Sequence, residues 1–137
     1  MKIVADSYAW IEIFSGSATG REAKDSMESA DGILTPDTVL AEIARKYLRE
    51  GFDENVIRKR LATIVETSEQ VQITNSVALE AARASLQLEK KAEEEGLEQP
   101  SLIDGIVLAT ARDNQAKVLT GDPHFKGLPE TVWLEKL

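Results

Sequence analysis

Short apolar segments alternate with amphipathic segments along the chain, and this alternation limits the fold more than any other sequence feature. The amphipathic segments carry apolar residues three and four positions apart, as helices with one buried face do. The apolar runs are short enough for buried strands and lie at Lys2–Ala5, Ile33–Leu34, Val71–Ile73, around Val118, and at Thr131–Leu134. Strands that alternate with helices indicate a parallel sheet covered on both faces. We therefore predict one α/β domain over residues 1–137, with three α/β/α layers and a central, mostly parallel sheet.

Local signals predict where several elements begin and end. Thr35 and Pro36 are typical of a helix start, because threonine caps well and proline suits the first helical position. The composition of Ser15–Gly20 predicts a loop. We also predict one long helix over Asn75–Glu95, and a helix from about 53 to 66 that buries Val65.

Composition excludes several classes of protein. The chain has no cysteine, so it has neither disulfides nor thiolate metal sites. No uncharged run approaches the roughly 18 residues that cross a membrane, and we expect a soluble, cytoplasmic protein without membrane contact. The net charge of −8 disfavours binding to a phosphate backbone. A nucleic-acid role therefore requires a bound metal ion and a local basic patch.

Four acidic residues lie where an α/β fold places its ligands. Asp6 ends the first predicted strand, Asp122 follows a later one, and Asp104 lies in the first turn of a predicted helix. Glu42 flanks the apolar stripe of another helix. Ligands of open α/β sheets bind beyond the carboxyl ends of the strands, where helices begin. We therefore expect these four carboxylates to face one crevice.

Four carboxylates in one crevice would repel one another and raise each other's pKa unless a cation lay among them. Oxygen ligands without cysteine favour Mg²⁺ or Mn²⁺ over zinc. Such an ion can lower the pKa of water and neutralise charge on a phosphate. Two neighbouring hydroxyls, those of Ser7 and Thr120, are positioned to donate hydrogen bonds to a carboxylate or a metal-bound water.

Each of these acids also has a purely structural interpretation. Asp6 can cap the helix that follows it, and Ser101–Asp104 matches a capping box. Asp122 begins an ordinary Asp-Pro turn. Glu42 is placed to form a salt bridge with Lys46 one helical turn later. Only the joint occurrence of all four acids favours a shared metal site.

Two further features are interpreted without a catalytic role. His124 is the only histidine, so we interpret it as a polar turn residue or a substrate contact. The densest basic region consists of Arg45, Lys46, Arg49, Arg58, Lys59 and Arg60. We slightly favour a solvated helical hairpin for this region over an RNA or partner surface.

In chain order, four segments carry the acidic residues: Ile3-Val4-Ala5-Asp6-Ser7 followed by Tyr8-Ala9-Trp10-Ile11, then Leu40-Ala41-Glu42-Ile43, Ser101-Leu102-Ile103-Asp104-Gly105-Ile106, and Leu119-Thr120-Gly121-Asp122-Pro123-His124-Phe125. Together they resemble the PIN-domain family, specifically the VapC-like toxins of prokaryotic toxin–antitoxin pairs. The resemblance implies a Mg²⁺- or Mn²⁺-dependent ribonuclease in which Asp6, Glu42, Asp104 and Asp122 correspond to the family's catalytic and metal-binding acids. It also implies a cognate antitoxin and a homodimer. Many relatives carry another acid where His124 stands.

Three hypotheses follow from the sequence. The first is a metal-dependent endoribonuclease, as the acids and the resemblance indicate. The second is a non-catalytic PIN-like module that binds a partner protein, which suits the net charge of −8. The third is a receiver-type phosphoacceptor, which we disfavour because Asp6 has no acidic neighbour and no lysine lies near Asp122 on the late strand's end.

Overall fold

The computed structural model describes residues 1–136, which form a parallel sheet flanked by helices. The strands are β1 (Lys2–Ala5), β2 (Gly32–Pro36), β3 (Glu69–Val71), β4 (Lys117–Thr120) and β5 (Thr131–Trp133). The helices are α1 (Ser7–Ser15), α2 (Ala18–Glu28), α3 (Asp37–Arg49), α4 (Glu54–Thr67), α5 (Asn75–Glu95) and α6 (Leu102–Asp113), and a 3₁₀ turn covers Pro123–Phe125. The strand order is β3-β2-β1-β4-β5, with every neighbouring pair parallel. The predicted three-layer α/β fold is confirmed.

The middle of the sheet is the core of the protein. Ile3, Val4, Val118 and Leu119 are at most 1% exposed, because helices cover both faces of the two central strands. Ala5 of β1 pairs with Leu119 of β4. Both strands therefore end at the same edge of the sheet, and the residues that follow them emerge side by side.

Helix α6 lies deeper than an ordinary surface helix. All seven residues from Gly105 to Ala111 are buried, since α6 packs against the sheet on one side and against α5 on the other. The N-terminus of α6 is thereby held close to the edge where β1 and β4 end. Among residues 1–136, no helix is both long enough and apolar enough to cross a membrane.

The predicted helix start at Thr35 is wrong. Strand β2 continues through Pro36, and α3 begins at Asp37 without a side-chain cap. The Thr35 hydroxyl is instead buried, where it accepts a hydrogen bond from Trp10 Nε1 at 3.2 Å and lies 2.9 Å from Ser68 Oγ. Long-range hydrogen bonds thus override a local capping signal.

Other predicted boundaries differ from the observed ones, because they depend on tertiary packing that the sequence pattern does not reveal. Strand β3 is Glu69–Val71 rather than Val71–Ile73, because it pairs with β2 two residues earlier. The expected loop at Ser15–Gly20 is mostly helix, since α2 begins at Ala18. Val65, predicted to be buried, is 44% exposed. The long helix Asn75–Glu95 is confirmed.

Gly20 marks the closest approach of α1 and α2, and Gly20→Ala is expected to destabilise the protein. A Cβ atom at Gly20 would overlap the backbone carbonyl oxygen of Glu12. Overpacking of this kind costs about 1–3 kcal/mol, which outweighs the roughly 1 kcal/mol that alanine contributes to helix propensity. Urea denaturation measures the difference. Gly32→Ala is the control, because its Cβ would meet nothing closer than 3.8 Å, and equal stability of the two variants would refute the packing argument.

Candidate metal centre

The carboxyl end of the sheet gathers the acids that the sequence singled out. Asp6 follows β1, and Asp122 follows β4 after one residue. Because these strands are parallel neighbours, both aspartates lie at one edge. Asp104 lies in the first turn of α6, whose N-terminus meets the same edge. The negative charges of Asp104 and Asp122 both act on Asp6.

Asp6 is fixed by hydrogen bonds at both carboxylate oxygens. Its side chain is buried, with 4% of the residue exposed. Oδ1 accepts the backbone N–H of Ala9 at 3.0 Å, which caps α1. Oδ2 accepts the hydroxyl of Thr120 at 2.5 Å. Asp6 therefore caps α1 and also lies at the acidic edge of the sheet, so its structural and functional interpretations are compatible.

Thr120 connects two of the acids. Its hydroxyl donates to Asp6 Oδ2 and accepts the backbone N–H of Asp122 at 2.9 Å. Thr120 is fully buried, so water does not compete for either bond. The hydroxyl thereby sets the positions of Asp6 and Asp122 relative to each other.

Asp104 combines a capping role with exposure to the crevice. Its Oδ2 accepts the backbone N–H of Ser101 at 2.9 Å, and the Ser101 hydroxyl accepts the backbone N–H of Asp104 at 3.3 Å. This capping box was predicted from the sequence and is confirmed. Within residues 1–136, no hydrogen bond forms to Oδ1 of Asp104, and this oxygen is available to a ligand.

Asp104, Asp122 and His124 form a tight group of ligand-type side chains. One ligand atom from each lies within 4.8 Å of the others. His124 Nδ1 is 2.8 Å from Asp122 Oδ1, and His124 Nε2 is 2.7 Å from the carbonyl oxygen of Glu98. Because a carbonyl only accepts hydrogen bonds, Nε2 carries a proton. Nδ1 therefore faces the acids, on the side where a cation would lie.

The raised pKa values of Asp6 and Asp104 indicate that the centre favours added positive charge. Burial raises the pKa of Asp6 to about 8, against the bonds from Thr120 and Ala9, and the charges of Asp122 and Asp104 raise it further. Burial raises the pKa of Asp104 to about 6, and the charges of Asp122 and Glu42 add to this. A divalent cation would relieve both effects. The oxygen-rich donor set therefore fits Mg²⁺ or Mn²⁺.

The imidazole of His124 favours its positively charged form, whereas the neighbouring acids favour their neutral forms. Burial disfavours its charged form, but the Glu98 carbonyl and the Asp122 carboxylate outweigh burial, and the pKa of His124 is raised above its ordinary value. In this arrangement His124 supplies part of the missing positive charge.

Glu42 lies near the centre but outside the tight group. It is half-buried on α3, and its charge contributes to the raised pKa of Asp104. The salt bridge to Lys46 that the sequence allowed is not formed, because Lys46 pairs with Glu50 at 3.2 Å. Glu42 and Ser7 instead line the same hollow beside the acids. Their position suits contact with a substrate or with water bound at the centre.

Two features of the centre were missed in the sequence. His124 was interpreted as a polar turn residue or a substrate contact and not as a member of the ligand group, although its position directly after Asp122-Pro123 was a usable signal. Tyr8 packs its ring over Gly121, where any Cβ atom would overlap the ring. Tyr8 also lines a hollow with Asp122 and Ser7. Position 121 therefore requires glycine, because the Tyr8 ring leaves no room for a side chain there.

The sequence profile of the PIN domain matches residues 3–130. The chain belongs to the PIN-domain family. The resemblance inferred from the four acidic segments is thus confirmed, and the carboxylate edge described above is the edge of a PIN fold. Among curated proteins, the sequence has no match.

Solved structures of other PIN proteins share the fold. A toxin–antitoxin complex from Klebsiella pneumoniae superimposes with a TM-score of 0.70 at 21% identity, covering 98% of this chain and 99% of that one. VapC20 of Mycobacterium tuberculosis, a toxin that cleaves the sarcin–ricin loop, gives a TM-score of 0.73 at 16% identity, covering 94% and 96%. VapBC2 of Rickettsia felis, bound to a fragment of its promoter DNA, gives 0.66 at 15% identity, covering 97% of each chain. This PIN-domain chain thus has the architecture of VapC-type proteins along nearly its whole length.

Proposed function

We propose that this PIN-domain protein is a divalent-cation-dependent endoribonuclease and the toxin of a toxin–antitoxin pair. One observation carries the proposal: Asp6, Asp104 and Asp122 converge at the edge of the sheet, and two of them have a pKa raised by burial and mutual repulsion. Ionised carboxylates in such a centre lower the stability of the fold, because they are buried close to one another. Binding of a cation that activates water on a phosphodiester accounts for that loss of stability.

The proposed division of roles follows the geometry. Asp104, Asp122 and His124 hold the cation directly, while Asp6 and Glu42 supply charge and orient water around it. When bound, Mg²⁺ or Mn²⁺ would lower the pKa of a water molecule and neutralise charge on the phosphate oxygens. Thr120 keeps Asp6 and Asp122 in place, and Ser7 faces the substrate side of the crevice.

The partners are proposed on the same basis. RNA is the expected substrate and a cognate antitoxin the expected protein partner, because the similar structures include VapC20 and VapBC complexes. A homodimer is the expected assembly, as the resemblance to VapC-like toxins implies. We expect a cytoplasmic location, in keeping with a chain that has no cysteine.

Incubation of the purified protein with structured and single-stranded RNA tests the proposal. We expect cleavage with Mn²⁺ or Mg²⁺ and none with EDTA. Calorimetric titration of the same preparation should show binding of the metal ion. If millimolar metal neither binds nor supports cleavage, the protein is instead a non-catalytic PIN module that binds a partner.

His124 is expected to be a nitrogen ligand of bound Mn²⁺. Ligands at right angles around an ion with bonds of 2.0–2.1 Å lie about 3 Å apart, and His124 Nδ1 and Asp122 Oδ1 are already 2.8 Å apart. A ligating histidine usually donates its other ring N–H to a carbonyl or carboxylate, as Nε2 does to Glu98. Electron spin echo modulation of the Mn²⁺ complex should therefore show coupling to ¹⁴N.

His124→Asp is the matched variant, since it restores a carboxylate and removes the nitrogen. This variant should still bind Mn²⁺ but lose the ¹⁴N coupling, and its preference for Mn²⁺ over Mg²⁺ should fall because imidazole favours the softer ion. A wild-type spectrum without nitrogen coupling would exclude His124 from the ligand set.

A further inference from the structure

The acidic centre continues into a hollow with a basic wall. This hollow, of about 340 Å³, is lined by Ser7, Glu42, Arg45, Lys46, Arg49 and Glu50. A second hollow, of about 270 Å³, is lined by Ser7, Tyr8, Ile11, Glu12, Lys46 and Asp122. Ser7 and Lys46 line both. The two hollows therefore form one trough that leads from Asp122 along α3.

The basic wall follows from the periodicity of α3. Val39, Ile43 and Tyr47 face the core. Glu42, Arg45, Lys46 and Arg49 are spaced three and four positions apart and so share another face. With a rise of 1.5 Å per residue, Arg49 lies about 10 Å along the axis from Glu42. The side chains change from acidic to basic along this face, away from the centre.

The cations of the wall are available to a ligand. Arg45 and Arg49 are exposed, and neither has a carboxylate oxygen within 4.0 Å among residues 1–136. Lys46 pairs with Glu50 at the surface, at 3.2 Å, and an exposed pair of this kind contributes little to stability. A phosphate can therefore replace Glu50 without a large cost.

The other bases of the same sequence region lie on α4 and have different surroundings. The guanidinium of Arg60 lies about 5 Å from the ring centroids of Tyr47 and Phe52, at 4.9 and 5.0 Å. Its charge is held against aromatic faces. Arg58 lines a separate apolar hollow with Leu48 and Ile57. The basic cluster seen in the sequence is thus divided, and only its α3 members face the acidic centre.

We propose that Arg45, Lys46 and Arg49 form a track that binds the backbone phosphates of single-stranded RNA next to the scissile bond. This inference rests on the proposed ribonuclease function. The chain carries a net charge of −8, so most of its surface repels RNA, and a local row of cations beside the acids selects the direction from which the strand approaches. The track contacts phosphates, not bases, and it gives affinity without sequence preference.

The test compares two double variants that remove equal charge. Arg45→Ala/Arg49→Ala alters the track, and Arg58→Ala/Lys59→Ala removes two exposed cations of α4 as the control. Binding of fluorescent single-stranded RNA is measured by anisotropy in an Asp104→Asn background, at 50–200 mM salt. The track variant should bind about tenfold more weakly, as expected for two exposed charge–phosphate contacts. Its slope of log affinity against log salt should be shallower by about 1.4, at about 0.7 per phosphate.

Cleavage by the otherwise wild-type variants provides the second readout. Loss of the track should raise KM for RNA, because these contacts are equal in the ground state and the transition state. The control variant should match the wild type within about twofold. Circular dichroism melts confirm that both variants fold.

The outcomes separate this inference from the proposed function. If RNA is cut but both double variants bind it alike, the track is refuted and the ribonuclease stands. If the track variant loses affinity while the wild type cuts nothing, the track stands and the ribonuclease falls. If RNA affinity is unaffected but binding of an acidic peptide is lost, the wall belongs to a protein partner and the RNA track is refuted.

Discussion

Asp6→Asn is expected to stabilise the metal-free protein at alkaline pH while reducing RNA cleavage by at least about a hundredfold. The side chain is buried, and its pKa is raised to about 8, so an ionised Asp6 is unfavourable inside the fold. Asparagine keeps the shape and carries no charge. Its oxygen can still accept the Ala9 N–H, and its amide can face the Thr120 hydroxyl. The substitution therefore removes a charge with little loss of packing.

The sign of the pH dependence follows from the raised pKa. Below about pH 4 Asp6 is protonated in both the folded and the unfolded chain, and the wild type carries no penalty. As pH rises from about 4 to 8, the unfolded chain loses the proton more readily, so the wild type loses stability relative to Asp6→Asn. Above pH 8 the difference is constant, with an upper limit on the order of 6 kcal/mol for a pKa raised from 3.8 to about 8.

Urea denaturation with EDTA at pH 4, 6 and 8.5 measures this difference. Asp25→Asn is the control, because Asp25 is exposed on α2 and its substitution also replaces a carboxylate with an amide. An Asp6→Asn variant that is less stable than the wild type at every pH would contradict the electrostatic account. Retained cleavage activity would remove Asp6 from the proposed mechanism.

The edge of the sheet was predictable because it depends on local patterns and on one rule of topology. Ser101–Asp104 was identified as a capping box, and the structure forms it. Asp6 and Asp122 were each placed after a strand, and parallel pairing of β1 with β4 brings those strand ends together. Neither inference needs knowledge of side-chain packing. Alternation of elements therefore predicts that these aspartates lie at one edge of the sheet, while their adjacency depends on the strand order.

What the sequence did not contain is the identity of long-range partners. The imidazole of His124 is oriented by a carbonyl oxygen of Glu98, 26 residues away in sequence, and no local pattern encodes that contact. Thr35 was wrongly assigned a capping role. Its actual partner, Trp10, is 25 residues away in sequence and could not be identified from the local pattern. Arg60 was grouped with Arg45 by proximity in sequence, although the aromatic rings around it come from three different segments. Such errors arise wherever the interaction partner of a polar side chain is distant in the sequence.

Affinity for Mn²⁺ is expected to rise at least about a hundredfold between pH 6 and pH 8. A divalent cation binds ionised carboxylates, so protons compete with it. Asp104 has a pKa of about 6 and Asp6 of about 8. Across this interval the proton of Asp6 must leave, and so must the Nδ1 proton of His124, whose pKa is also raised, where the imidazole binds the cation. Loss of the Asp6 proton alone makes the affinity increase tenfold per pH unit, and this part of the increase should level off above pH 8.

Calorimetry at pH 6, 7 and 8 in buffers with different ionisation enthalpies gives both the affinity and the number of protons released, which should be at least about one at pH 7 because the Asp6 proton leaves. Asp6→Asn separates the groups, because it should remove the part of the pH dependence due to Asp6 and retain the parts due to Asp104 and His124. An affinity that rises no more steeply in the wild type than in Asp6→Asn would show that the bound cation does not require ionisation of Asp6, and the centre would then consist of Asp104, Asp122 and His124 alone.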